Sequence, residues 1–337
     1  MTITKPQLKY VTNVGFCADF GGRGFQLPTS MVLRSDGVIF VASRGKPQTK
    51  GSNGIQLVTA NHEFLGQIGS YGSELGGMIW PTAVALDSDE NLYLADEFLH
   101  RITVFNKKGD PIKSWGTQGN AEGEIKGPSG LLFDANDDLL VVDHRNNRIQ
   151  KFSKDGEFIE VWAGSYGDGD GNFNLPWGIA QDRDHNVYVA DWRNDRIQKF
   201  TSDGIFLSKF GTSGQNDGEF HRPAGLAIDS ENNIYVADWG NQRVQMFDSE
   251  GHFLTKIRGE AGLNPWVIEY LDSQVDEKKA RSSFVPVYQP DTDDPSEISA
   301  RMEPYFWDPV DVIIDDHDRV YVLETGRHRL QIYEKTI

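Results

Sequence analysis

The chain has 337 residues, with 50 Asp and Glu against 33 Lys and Arg, and its formal net charge is −17 at pH 7. Nucleic acid is therefore not an expected partner, because binding to phosphates depends on Lys and Arg displacing counterions. The single cysteine excludes an internal disulfide, and neither a secretory signal nor an apolar run of about 18 residues occurs. We expect a cytoplasmic protein without a membrane partner.

Six segments of the chain repeat one pattern. Each segment begins at a proline and carries an acidic residue, or Ser in the first copy, fifteen positions later. The prolines are Pro28, Pro81, Pro128, Pro176, Pro223 and Pro309, with spacings of 53, 47, 48, 47 and 86 residues. The residues fifteen positions later are Ser43, Asp96, Asp143, Asp191, Asp238 and Glu324. A match at one offset in all six copies indicates one structural unit repeated along the chain.

The unit has the pattern of an antiparallel meander of strands. Two short runs of β-branched, aromatic and aliphatic residues flank a polar turn, as in GLAIDSENNIYVAD from Gly225, and a third and a fourth run follow. Units of this length without helical periodicity predict an all-β fold, a six-bladed β-propeller with four-stranded antiparallel blades. The last unit ends at its third strand, so we expect residues 8–14 to supply its outer strand and to cover an exposed edge.

Two insertions interrupt the regular spacing. Six extra residues lie within 44–54, in the turn between the second and third strands of the first unit, and 39 more lie mainly within 262–305. In propellers this turn and the links between blades open on the same face, which we call the top face. Helical spacing is shown by Val267, Tyr270, Leu271 and Val275 and indicates a short helix. The sequence thus predicts a single domain over 1–337, whose insertions form either a lid or an elaboration that packs over a blade.

The motif of the unit resembles a known repeat. The run N-x-[IVL]-Y-V-A-D-x-x-N-x-R-[IV]-Q-x-F, with a proline upstream, resembles the NHL repeat, and six copies resemble a six-bladed NHL propeller. The chain is also similar in fold to peptidyl-hydroxyglycine amidating lyases, a resemblance that would imply zinc-binding histidines directly after the blade prolines. Those positions hold Thr29, Thr82, Ser129, Trp177, Ala224 and Val310. The resemblance therefore implies the fold without that activity; no metal motif is recognised and the cofactor is unknown.

Pairs of an acid and an arginine five residues later recur in five units. A catalytic pair would occur once, so these pairs predict a structural role, in capping turns and in joining neighbouring blades. They are Asp96 and Arg101, Asp143 and Arg148, Asp191 and Arg196, Asp238 and Arg243, and Glu324 and Arg329.

The residues that follow the repeated acid differ between units and should surround the top mouth of the channel. Guanidinium groups bind carboxylate or phosphate in a bidentate manner, so Arg44, Arg145 and Arg193 predict an anion site. The predicted catalytic residues are His144, Glu97 and Arg193. The predicted ligand-binding residues are Arg44, Arg145, Trp177, Trp192, Trp239 and His221. In the alternative interpretation, the arginines pair with acidic neighbours and the tryptophans pack between blades.

These features predict that a small anionic metabolite binds at the top mouth. If the protein is an enzyme, the resemblance implies a lyase or a hydrolase. The same fold carries lyases, hydrolases and binding modules, so the fold alone does not decide between them. The alternative function is a non-catalytic scaffold that binds a protein partner, favoured by the absence of a recognisable metal triad or nucleophile.

Overall fold

The computed structural model describes residues 6–18, 22–46, 51–283 and 292–336. Its strands form six four-stranded antiparallel sheets and one short parallel pair. The six sheets are the blades of the predicted propeller, and the first strand of each blade lines the central channel.

The blades follow one another along the chain. The N-terminal strand is β1 (Gln7–Val14), and blade 1 consists of β2 (Pro28–Leu33), β3 (Val38–Ser43), β4 (Gly54–Thr59) and β5 (Phe64–Ile68). The parallel pair is β6 (Ser70–Tyr71) and β7 (Gly77–Met78), and blade 2 consists of β8 (Pro81–Leu86), β9 (Leu92–Asp96), β10 (Arg101–Phe105) and β11 (Pro111–Trp115). Blade 3 consists of β12 (Pro128–Phe133), β13 (Leu139–Asp143), β14 (Arg148–Phe152) and β15 (Phe158–Ala163). Blade 4 consists of β16 (Ile179–Gln181), β17 (Val187–Asp191), β18 (Arg196–Phe200) and β19 (Phe206–Phe210). Blade 5 consists of β20 (Pro223–Ile228), β21 (Ile234–Asp238), β22 (Arg243–Phe247) and β23 (Phe253–Ile257). The helices α1 (Pro265–Ser273), α2 (Val275–Ser283) and α3 (Pro295–Arg301) precede β24 (Pro309–Ile314), β25 (Val320–Glu324) and β26 (Arg329–Thr336) of blade 6.

The N-terminal strand closes the ring. β1 pairs antiparallel with β26, from Gln7 opposite Thr336 to Val14 opposite Leu330, and forms the outer strand of blade 6. Leu8 and Val14 are buried by this pairing. The predicted closure is therefore confirmed.

The core lies between neighbouring blades. The second strand of every blade is buried on both faces, which explains its continuous apolar sequence. Tyr188 and Ala190 of blade 4, for example, share one apolar cluster with Leu226 and Val236 of blade 5. The apolar core at this interface is thus built by both neighbouring blades.

The repeated acid and arginine pair within a blade. The Nε of Arg243 donates to Asp238 at 2.7 Å, and its Nη atoms donate to the carbonyls of Gln215 and Asn216 in the preceding link. The pair therefore fixes the incoming link and does not join neighbouring blades by an ion pair. In blade 2 the carboxylate of Asp96 accepts backbone amides instead, including that of Ile79.

A second repeated contact joins neighbouring blades. In blades 2 to 6, the residue directly before the third strand has a positive φ. Its side chain accepts a hydrogen bond from the backbone amide of the residue that precedes the proline of the next blade. The pairs are His100 with Gly127, Asn147 with Leu175, Asp195 with Arg222, Gln242 with Asp308, and His328 with Leu27. His100 and His328 therefore have structural contacts of a kind that non-histidine residues make in the other blades.

The described parts of the long insertion contact the seam between blades 6 and 1. Asn264, the N-cap of α1, donates to the carbonyl of Gly15 at 2.7 Å, and the indole of buried Trp266 donates to the carbonyl of His62 at 2.7 Å. The helix α3 contacts the top turn that contains Trp239. Residues 47–50 and 284–291 of the two insertions lie outside the described residues, and the lid role stays a prediction.

None of the helices in the described part of the chain has both the length and the apolar character needed to cross a membrane.

Candidate functional site

The inner strands of the six blades enclose a cavity of about 300 Å³. At its top end the residues after the prolines join one blade to the next. Thr82 donates to the carbonyl of Pro128 at 2.7 Å, and Ser129 donates to the carbonyl of Pro176 at 3.1 Å. Trp177, at the same position in blade 4, lines the cavity with its neighbours. Within residues 6–18, 22–46, 51–283 and 292–336, no three His, Cys, Asp or Glu side chains cluster closely enough to hold a metal ion.

One side of the mouth carries charge. Glu97 of blade 2 accepts hydrogen bonds from Arg145 of blade 3 at 2.5 Å and from Arg44 of blade 1 at 3.3 Å. The Arg44 guanidinium also lies 4.9 Å from the centroid of the Trp80 ring. Burial lowers the pKa of Arg44, and the neighbouring Glu97 charge acts in the opposite direction. We call this group of Arg44, Glu97 and Arg145 the Glu97 bridge; it joins two cations through one anion.

The other side of the mouth is aromatic. The rings of His144 and Trp177 meet edge to face with centroids 5.1 Å apart. The Trp177 and Trp192 rings are 6.4 Å apart, and the Trp192 and Trp239 rings are 6.5 Å apart. These four side chains form a continuous series across blades 3, 4 and 5, which we call the aromatic arc. Most of the predicted mouth residues thus lie in these two groups.

His144 is buried at one end of the aromatic arc. Its Nδ1 lies 2.9 Å from the carbonyl oxygen of Pro176, so Nδ1 carries the hydrogen and donates it. Burial lowers the pKa of His144, while the charge of Glu97 opposes this change. The neutral imidazole therefore has its unprotonated nitrogen at Nε2, which is the arrangement that a general base requires.

Arg193 differs from the other two predicted arginines. Its side chain is exposed, and its guanidinium carbon lies 5.6 Å from the centroid of the Trp192 ring. Among the described residues it forms no ion pair, whereas Arg44 and Arg145 both contact Glu97. Arg193 therefore presents a guanidinium to solvent beside the aromatic arc.

A second arginine at this place was not predicted. The guanidinium carbon of Arg222 lies 4.8 Å from the centroid of the same Trp192 ring. Arg222 precedes the proline of blade 5 and has a left-handed backbone, with φ of 57° and its amide bound to Asp195. The repeated position before the proline therefore brings this side chain back to the preceding blade. The signal in the sequence was the cation at this position, where the other units carry Leu27, Trp80, Gly127, Leu175 and Asp308.

His221 lies next to the aromatic arc in blade 5. Its amide donates to Asp238 at 2.8 Å, and its carbonyl accepts the amide of Gly240 at 2.8 Å. The imidazole covers Gly240 so closely that a Cβ there would lie 1.9 Å from Cδ2 of His221. His221 is exposed beside the turn of Trp239.

Asp311 in the channel was also missed. It is the second residue after Pro309, where the other units carry Ser30, Ala83, Gly130, Gly178 and Gly225. Asp311 lines the cavity, and its position in the repeat was the available signal.

Comparisons with known proteins support the fold. The family model of the NHL repeat matches residues 126–152, 173–200, 220–247 and 306–333, which lie in blades 3 to 6. No curated protein matches the chain.

Solved structures similar to the chain include a protein of unknown function from Bacteroides thetaiotaomicron, with a TM-score of 0.65, 17% identity, and coverage of 98% of this chain and 77% of that one. A catalytically inactive virginiamycin B lyase from Staphylococcus aureus, determined with quinupristin, has a TM-score of 0.57 at 14% identity and coverage of 98% and 87%. A streptogramin B lyase has a TM-score of 0.56 at 12% identity and coverage of 98% and 97%. At these identities the likeness concerns the fold alone.

Proposed function

We propose that this six-bladed propeller of NHL repeats binds a small ligand, with an anionic group and a planar apolar part, at the top mouth of its channel. The observation that carries the proposal is the placement of two guanidinium groups, those of Arg193 and Arg222, against the ring of Trp192. Guanidinium groups recognise carboxylate and phosphate, and aromatic rings stack on planar groups.

The exposed position of Arg193 supports this proposal. An arginine held for stability alone would be expected to pair with one of the many acidic residues of the chain, as Arg196 pairs with Asp191 at 2.8 Å. Arg193 instead leaves its hydrogen-bond donors to solvent beside the apolar arc. A ligand that stacks on the arc would bring its anionic group close to these donors.

The Glu97 bridge has a different part in the proposal. Arg44, Glu97 and Arg145 together carry a formal charge of +1, so they attract an anion less strongly than two unpaired arginines. Glu97 also holds the two guanidinium groups at fixed distances. We therefore assign the primary anion contact to Arg193 and a secondary contact to the bridge.

If the bound ligand is a substrate, the proposed reaction is that of a lyase or a hydrolase. His144 would act as the base through Nε2, because Nδ1 is occupied by the Pro176 carbonyl. Arg193 would stabilise negative charge on the substrate, and Glu97 would orient the other arginines. The cytoplasmic location expected from the sequence is likewise part of the proposal.

The scaffold alternative is favoured by another observation. The outer strands of blades 1 to 4 each expose an aliphatic side chain: Leu65, Ile112, Ile159 and Leu207 are 46–53% exposed. Such a row on the circumference could contact a protein partner. A scaffold that binds a protein partner through its circumference would not need a ligand site at the mouth of the channel.

The proposal is tested by titrating the protein with 1-naphthoate and with the neutral 1-naphthamide, which have the same ring. The readout is the NMR shift of the indole N–H signals of Trp177, Trp192 and Trp239. We expect saturable shifts of these signals with naphthoate and binding at least tenfold weaker with naphthamide, since one charged hydrogen bond is worth about 1.5–3 kcal/mol.

The matched variants are Arg193→Gln at the mouth and Arg183→Gln in the same blade. Arg183 is exposed in the turn between the first and second strands, near the other end of the channel. We expect the first variant to lose most of the preference for naphthoate and the second to keep it. Equal binding of the two compounds, or equal effects of the two variants, would refute the anion site.

A further inference from the structure

The channel contains a carboxylate that the proposed function leaves unused. Asp311 lines the cavity with residues from the inner strands of all six blades. Its equivalents in the other units are Ser, Ala or Gly, so the repeat itself does not require an acid there.

The Asp311 carboxylate is held in a fixed position by neighbouring donors. Its Oδ2 accepts the amide of Met31 of blade 1 at 2.9 Å, and its Oδ1 accepts the amide of Val312 at 2.9 Å. The Ser30 side chain supplies a third hydrogen bond. A carboxylate has about four acceptor positions, so it retains capacity for one more donor.

The neighbouring blade lies close to this carboxylate. Gly225 occupies the equivalent position in blade 5, and a Cβ there would lie 2.6 Å from both Cα and Oδ1 of Asp311. The glycine therefore allows the two inner strands to approach each other at Asp311. The cavity wall also includes the hydroxyl-bearing Thr29, Thr82 and Ser129.

The charge of Asp311 has no cationic partner in the cavity. The described residues that line the cavity, contributed by all six inner strands, include no Lys, Arg, His or Glu, and Asp311 is the one ionisable side chain among them. A partly buried carboxylate without an opposite charge beside it attracts a cation, so the cavity favours a cationic occupant. The pKa of Asp311 is raised to about 6, chiefly by burial, and the carboxylate is therefore largely ionised at neutral pH.

The chemistry of the wall favours an organic ammonium over a metal ion. A calcium ion takes six to eight oxygen ligands, and the described residues bring no three acidic, His or Cys side chains together. An ammonium needs one anion and a few acceptors, which the carboxylate and the cavity hydroxyls supply. The volume of about 300 Å³ suits a small group.

We propose that the channel cavity binds an organic ammonium group through the carboxylate of Asp311. This ammonium site does not rest on the proposed function at the mouth, and the two sites have separate tests.

The ammonium site is tested with methylammonium chloride, with sodium chloride and calcium chloride as matched salts. The readout is the NMR shift of the Met31 and Val312 amides. At pH 8 we expect a saturable shift with methylammonium alone. At pH 5 a carboxyl of pKa about 6 is about one-tenth ionised, so binding should weaken about tenfold.

The variants separate charge from packing. Asp311→Asn should weaken methylammonium binding at least tenfold, whereas Asp316→Asn, the same change at an exposed acid of the same blade, should change it less than threefold. If Asp311→Asn does not fold, the pH comparison on the wild type still decides. Absence of a saturable shift at pH 8, pH-independent binding, or equal shifts with sodium or calcium would overturn the ammonium site.

The outcomes at the two sites are distinguishable. If methylammonium binds and 1-naphthoate does not, the mouth proposal fails while the channel site stands. If 1-naphthoate binds and methylammonium does not, the channel site fails while the mouth proposal stands.

Discussion

Arg145 donates a hydrogen bond of 2.5 Å to Glu97 of the preceding blade, and Glu97 also accepts from Arg44 at 3.3 Å. The three residues come from three consecutive blades and share one mouth. Arg44 and Arg145 are therefore partly neutralised, while Arg193 on the opposite side has no such partner among the described residues. The mouth thus combines a paired charged side with an aromatic side where an arginine is exposed.

Removing the charge of Glu97 should strengthen anion binding. In Glu97→Gln the two arginines keep a hydrogen-bond acceptor but lose the anion between them, so the local charge rises by one unit. We expect the affinity for 1-naphthoate, measured by calorimetry, to rise about three- to tenfold at low salt. Glu160→Gln makes the same charge change on the exposed outer strand of blade 3 and should have little effect. A fall in affinity in Glu97→Gln would mean that positioning by Glu97 outweighs its charge.

Replacing Trp192 should weaken the binding of the aromatic ring. Trp192 contacts Trp177, Trp239 and the guanidinium groups of Arg193 and Arg222. In Trp192→Leu we expect naphthoate affinity to fall about three- to tenfold, because aromatic pairs contribute about 0.5–1.5 kcal/mol beyond burial. Acetate, which lacks a ring, is the control ligand and should bind the variant and the wild type alike. Unchanged naphthoate affinity would place its ring elsewhere.

Deleting residues 1–14 should destabilise the ring. The deletion removes β1, exposes the edge of β26, and eliminates the buried side chains of Leu8 and Val14, each worth about 1.5–3 kcal/mol. We expect the thermal midpoint to fall by roughly 10 °C or more. Deletion of residues 1–5, which precede the strand, is the control and should melt like the full chain. Equal melting of the two truncated proteins would contradict closure by β1.

Asp311 should make stability depend on pH in an unusual direction. Its pKa is about 6 in the folded protein against an ordinary value of 3.8, so between these values the folded state binds more protons than the unfolded state. The contribution of Asp311 to the free energy of unfolding therefore decreases as the pH rises from about 4 to about 6, and is constant above that window.

The measurement is urea denaturation at several pH values for the wild type and Asp311→Asn. The difference in free energy of unfolding, wild type minus variant, should fall across the window and then level off. Asp316→Asn, an exposed acid in the same blade, is the control and should not reproduce this change. A difference that rises across the window would contradict the raised pKa.

The fold could be predicted from the sequence because one unit is repeated. The prolines and the acids fifteen residues later set the blade boundaries, and the missing fourth strand of the last unit implied closure by the N-terminal segment. The side chains of the aromatic arc followed from the same alignment, since Trp192 and Trp239 occupy one repeated position.

The partners of the mouth residues were harder to predict. Glu97 and Arg145 are 48 residues apart in the sequence. Their contact depends on how blades 2 and 3 are oriented relative to each other. Arg222 and Asp311 lie at repeated positions close to the proline, and only their difference from the residues of the other units marks them. The prediction that the repeated acid and arginine join neighbouring blades was wrong. The two residues flank the turn between the second and third strands of one blade, and they pair there.

A crystal structure of the protein with 1-naphthoate would test the central proposal most directly. We predict a naphthyl ring on the aromatic arc against Trp192, with the carboxylate bound to the guanidinium of Arg193 or Arg222. A ligand bound only on the outer circumference of the blades, or no ordered ligand at a saturating concentration with the mouth open to solvent, would contradict the proposal.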